Sequence, residues 1–136
     1  MSRVEGANLD DAVGYVKLPA GVHLVEITEM TEGVSKAKER KVDVTFTVLE
    51  VSSVDANDQK LVGGRVGMSL SLQPKALWKL RQMRDACGAP SSGGDFFDTD
   101  DFTGRRLKIA TSQKEYTDDK GQSSVRTNVD DFMSAA

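Results

Sequence analysis

Residues 64–88, GRVGMSLSLQPKALWKLRQMRDACG, join a strand directly to a helix, and that junction decides the fold. Val66, Met68, Leu70 and Leu72 recur at every second position, with Gly67, Ser69 and Ser71 between them. That is the period of a strand with one buried face. The small residues on the other face leave room for something to approach the sheet. Pro74 suits the first position of a helix, where its fixed φ and missing N–H do no harm. Ala76, Leu80, Met83 and Cys87 then share one face of the helical wheel, flanked by Leu77 and Ala86. Gly88 and Pro90 end the helix.

Working upstream, KVDVTFTVLEVSS (41–53) is the clearest strand. Val42, Val44, Phe46 and Val48 alternate with Asp43, Thr45 and Thr47, with β-branched residues over-represented. GVHLVEITEM (21–30) reads as an earlier strand, and TEGVSKAKERK (31–41) as a long basic loop between the two. DANDQK (55–60) has turn chemistry. Downstream, TGRRLKIAT (103–111) supplies a fourth strand with Leu107 and Ile109 inward. QKEYTDDKGQSSVRTNV (113–129) reads as a hairpin turning at Gly121, with Val125 and Val129 on its return. Three strands, a helix and two strands is the order of an OB-fold. The expectation is a mainly β chain: a five-stranded OB-fold-like Greek-key barrel with one helix between strands three and four. A generic α+β sandwich is the alternative. The barrel occupies residues 15–129, after a flexible N-terminal segment (1–14) and before a short acidic C-terminal tail (130–136).

Composition removes most of enzymology. A chain of 136 residues makes one ordinary domain. Cys87 is the only cysteine and His23 the only histidine. An internal disulfide and metal sites built on several cysteines or histidines are therefore excluded. Cys87 reads as a buried small hydrophobe, and His23, in a strand beside Val25 and Ile27, as a structural histidine. P-loop, GxGxxG, HExxH and GxSxG motifs are absent. Asp100 and Asp101 sit in a run of acids that reads as a solvated loop. Neither catalysis, a cofactor nor a metal is expected. No apolar run is long enough for a membrane span, and the charged N-terminus does not resemble a signal peptide. The expected setting is cytoplasmic.

Net charge is −3, yet it is unevenly spread. Acids concentrate in residues 1–11, in DFFDTDD (95–101) and at Asp130–Asp131, which leaves a basic body. An OB-fold binds oligonucleotides on the face of its second and third strands, between the loops joining strands one and two and strands four and five. Mapped onto this chain, the basic loop supplies Lys36, Lys38, Arg40 and Lys41. The strand face supplies Thr45, Thr47, Ser69, Ser71, Lys108 and Arg126, and the hairpin supplies Tyr116 for base stacking. Tyr15 and the pair Phe96–Phe97 are the other aromatics open to stacking. Trp78 lies nearly opposite the core face of its helix. It is expected either to be covered by Asp95–Phe102, to form a subunit interface, or to stack on a base.

YVKLPAGVHLVEITEM, GRVGMSLSL, PKALWKLRQMRDACG and DDFTGRRLKIATSQKEYTDDKGQ together resemble a family of small tailed-phage proteins over residues 15–129. Members of that family look like OB-fold single-stranded-DNA-binding proteins encoded near replication and recombination genes. The resemblance implies a non-enzymatic, sequence-tolerant single-stranded-DNA-binding role in phage DNA replication or recombination. A homo-oligomer and replication or recombination proteins are further candidate partners, with no membrane. It carries over no position-specific residues. Bacterial single-strand binders end in an acidic tail closing on Phe, whereas here Asp130–Met133 is followed by Ser-Ala-Ala. A protein–protein interaction module, inhibiting or recruiting a host protein, is the competing reading.

Overall fold

The computed structural model describes residues 15–53, 55–91, 97–117 and 119–135. The expected flexible segment 1–14, Asp95 and Phe96 lie outside them. Five strands form one antiparallel sheet: β1 (Gly21–Val34), β2 (Arg40–Glu50), β3 (Arg65–Ser71), β4 (Arg106–Thr117) and β5 (Ser123–Ser134). A short helix α1 (Ala56–Gln59) lies between β2 and β3, and the main helix α2 (Leu77–Cys87) between β3 and β4. A 3₁₀ turn at Pro74–Ala76 leads into α2, and Gly88 closes it at φ 73°, a conformation glycine adopts without strain.

The strand order β3-β2-β1-β4-β5 is OB-fold-like. The sheet is not closed: no ladder joins β3 to β5 among the described residues. β1 serves two partners, pairing β4 through residues 21–26 and β2 through residues 24–34. Its register with β2 slips between Leu24 and Val25 and again across Thr28, irregularities of the kind that bend a strand. Inward side chains from all five strands meet in one core. Phe46 and Phe132 approach with ring centroids 6.5 Å apart, and Leu107 and Ile109 are fully buried.

Two segments cover the open seam. Residues 15–18 run parallel to β3 at its start, where Tyr15 bridges to Arg65 and the Val16 N–H donates to the Arg65 carbonyl at 2.9 Å. Two residues on, the Leu18 N–H donates to Thr127 Oγ1 on β5 at 2.7 Å, and Gln113 Nε2 of β4 donates to the Leu18 carbonyl at 3.1 Å. Leu18 is fully buried beneath this strap. Near the other end of β5, α2 packs Leu80, Met83 and Cys87 into the core. Lys79 Nζ reaches the Val129 carbonyl, and Gln82 donates to Asp131.

Two expectations are corrected. The long basic loop shrinks to residues 35–39, because β1 continues through Val34 and β2 begins at Arg40. The acidic tail is largely strand: residues 130–134 are the last part of β5, with Phe132 buried opposite Ile109. His23 is structural. Its Nδ1 accepts the Ser52 N–H at 3.1 Å, so the proton sits on Nε2, which donates to the Pro19 carbonyl at 2.8 Å.

Replacing His23 with leucine roughly keeps the volume but orphans the Ser52 N–H, while the Pro19 carbonyl keeps the bond from Thr111 Oγ1 at 2.9 Å. The expected loss is about 1–3 kcal/mol in urea unfolding, the cost of one unmade bond. Gly64→Ala would drive a Cβ into the Val16 side chain. The expected result is a loosened strap, read as faster amide exchange at Val16 and Leu18 than in the parent.

Candidate nucleic-acid interface

Alternation along β2 splits the expected basic cluster between two faces. Val42, Val44, Phe46 and Val48 point inward and are buried, so Arg40 belongs to the inward row and Lys41 to the outward one. Arg40 Nε and Nη2 both donate to Glu32 Oε1, at 2.9 and 2.6 Å, on the inner face of the β1–β2 hairpin. Lys41 pairs outward with Asp43 at 3.0 Å. Lys36 and Lys38 stand exposed at the tip, with no ion pair among the described residues. Lys38 also forms the turn. Its φ is +62°, its N–H donates to the Ser35 carbonyl, and the Ser35 N–H donates to the Glu39 carbonyl.

Cross-strand pairing lays out the outward face in rows. One runs Arg106, Glu26, Thr47, Arg65; the next holds Glu29, Thr45 and Gly67; then come Thr31, Asp43 and Ser69, and finally Gly33, Lys41 and Ser71. Thr45, Thr47, Ser69 and Ser71 therefore share the β2–β3 surface, as expected. Most of their hydroxyls are already engaged. Thr47 donates to Thr28 Oγ1, Ser69 donates to Asp43 Oδ1 at 2.5 Å, and Ser71 Oγ accepts the Gln73 N–H. Ser69 and the Lys41 ammonium together hold the Asp43 carboxyl below the usual aspartate range.

Lys108 lies one row beyond Arg106, half-buried between Leu24 of β1 and Met133 of β5. Glu26 and Glu29 on β1 separate it and Arg106 from the cations of β2 and β3, and Glu26 pairs with Arg106 at 3.6 Å. Arg126 and Tyr116 meet on the β4–β5 hairpin, the guanidinium 5.2 Å from the ring centroid, with Lys114 directly opposite Arg126. The expected site residues thus fall into three groups, the tip, the β2–β3 surface and the β4–β5 hairpin, with Arg40 on the inner face and Lys108 apart on β4. No continuous basic track links them.

A fourth group joins Tyr15, one of the aromatics read as open to stacking, to Arg65, which was not anticipated. Tyr15 lies across β3 on the outward face, its ring edge about where a side chain on Gly67 would stand. The Arg65 guanidinium stacks on it at 5.5 Å, and the ring is 68% exposed. The glycine in the β3 pattern marked the space, although nothing in the sequence said that residue 15 would occupy it. Arg65 was masked by its position at the strand entry. Trp78 is 64% exposed, so the covering expected from Asp95–Phe102 does not hold for the described part of that segment. Phe97 and Phe102 stack edge-on with each other instead, at 5.8 Å.

Searches against protein-family models and against curated proteins found no match. The described residues hold no cluster of metal-ligating side chains, and none of their helices is long and apolar enough to cross a membrane.

Removing the Ser69 hydroxyl tests the local electrostatics. In Ser69→Ala the Asp43 titration, followed by carboxyl NMR, should move up toward the ordinary aspartate value. Because the folded carboxyl titrates below its unfolded value, this contact stabilises the fold above that ordinary value. The benefit fades as pH falls through the depressed folded value. Asp43 is largely exposed, so the effect on overall stability should be slight.

Proposed function

We propose that this chain binds single-stranded DNA without strong sequence preference and without catalysis, and that it supports phage DNA replication or recombination. The observation that carries the binding reading is the Tyr15–Arg65 pair on the outward face of β3, with an open aromatic surface beside small residues. A base has a π-face to stack there, and the adjoining guanidinium and lysines can neutralise phosphates. The same face runs along β2 from Thr47 to Lys41, roughly 20 Å at 3.3 Å per residue, and ends at the tip carrying Lys36 and Lys38. That length suits the short end of the site sizes that single OB-folds use. The replication or recombination setting rests on the resemblance to small tailed-phage proteins.

This arrangement leans on few charges. Arg40 is held by Glu32 on the inner face, and Glu26 and Glu29 border the strip. With Lys36, Lys38 and Arg65 as the phosphate contacts, log K for oligo-dT should fall against log salt with a slope of about −2, from about −0.7 per phosphate. Tyr15→Ala should weaken oligo-dT by about 1–3 kcal/mol, the range for one stacked base. Lys36→Ala with Lys38→Ala should flatten the slope, and Arg40→Ala should leave it unchanged. Fluorescence anisotropy at two salt concentrations measures all of these. Absence of binding at low salt, or affinity indifferent to Tyr15, would reject the reading.

A further inference from the structure

We propose that the groove between α2 and the inner face of the β1–β2 hairpin docks an acidic peptide segment of a partner protein, one with a large apolar side chain among its carboxylates. The groove encloses about 690 Å³, within the range of sites that take a drug-sized group or a short stretch of chain. Its floor is apolar, formed by Leu72, Leu80, Phe97 and Phe102. Its rim is guanidinium: Arg40, Arg81 and Arg84 line it. Three of the eight arginines in a chain of net charge −3 converge on this one depression.

Two acids are paired with these arginines, while Asp98, Asp100 and Asp101, at the 3₁₀ turn that starts at Thr99, are not among the lining residues. Glu32 in the wall is taken by Arg40. Asp85, outside the groove, is shared between Arg84 at 3.2 Å and Arg81 at 3.9 Å, so one carboxylate faces two guanidiniums. The Arg81 side chain is 75% exposed, which leaves most of its donor fork facing water. That fork matches a carboxylate in a bidentate geometry that lysine cannot offer. Leu77 and Trp78 stand in water on the adjoining helix positions. Exposed Trp beside Arg is the pairing enriched where proteins concentrate their binding energy. A peptide supplies both a carboxylate for the guanidinium fork and an aliphatic or aromatic side chain for the apolar floor.

The placement is independent of the DNA reading. Glu32, Arg40 and Val42 belong to the inward row of the sheet, on the opposite side from Tyr15, Arg65 and Lys41. An occupant of the groove therefore leaves the outward face open.

The test is a selection of displayed random dodecapeptides on the full chain, with Arg81→Glu and Leu77→Asp as counter-targets. Both positions are exposed, and thermal melts check that the variants fold. Arg81→Gln, a milder change, serves if either does not. Enriched peptides should combine several Asp or Glu with an aromatic or large aliphatic residue. As fluorescent synthetic peptides they should bind about tenfold or more weakly to the variants, while the variants keep the parent's response to oligo-dT. No enrichment over the counter-targets, enrichment of peptides without acids, or equal binding to parent and variants would overturn the proposal. Loss of an oligo-dT response in Arg81→Glu would assign the groove to nucleic acid instead.

Discussion

A sheet that curls toward a barrel without closing leaves two edges with unpaired backbone groups, and much of this structure answers that constraint. β3 and β5 are the edges. The 15–18 strap spans both, satisfying the Arg65 carbonyl of β3 through the Val16 N–H and holding the Thr127 hydroxyl of β5 through the Leu18 N–H. At the other end of β5, α2 lies against the strand and hydrogen-bonds it at Val129 and Asp131. Edges covered in this way are poor templates for pairing with another chain. The strap also carries Tyr15 onto the outward face of β3, so the residue that offers a stacking surface is placed there by the need to cover an edge.

The inward rows were legible because burial and period two coincide in them. Val42 to Val48, Val66 to Leu70 and the Leu80–Met83–Cys87 stripe all read correctly from spacing. The misread boundary of β5 has its cause in a bulge, which shifts the phase of the alternation as another does in β1. In β1 the buried positions run His23, Val25, Ile27 and then Met30, a step of three across Thr28. In β5 they run Val129 and then Phe132, a step of three across the slip at Asp130. Broken period, together with two adjacent aspartates, reads as a tail. The β1–β2 hairpin hid its length for another reason. Beyond Met30 β1 projects past the core, and residues such as Glu32 and Val34 alternate without any burial to write into the sequence.

The candidate site was legible only in part, because side-chain charge says nothing about facing. Arg40 and Lys41 are neighbours in sequence and lie on opposite sides of the sheet. The hydroxyls of Thr47, Ser69 and Ser71 were correctly placed on one surface, yet they bond to groups already there. Contacts that depend on long-range placement were out of reach altogether. Tyr15 meets Arg65 fifty residues away, and no local pattern encodes that meeting.

Cys87 gives the fold a built-in chemical clock. Its thiol is only 8% exposed, donates to the Arg84 carbonyl, and is pushed by burial to a higher pKa than a free cysteine. Alkylation needs an accessible thiolate, so a neutral iodoacetamide reagent has to wait for the C-terminal turn of α2 to lift from the sheet. With a single cysteine in the chain, each modification event is unambiguous. The labelling rate therefore reports how often the C-terminal turn of α2 opens, without any engineered probe.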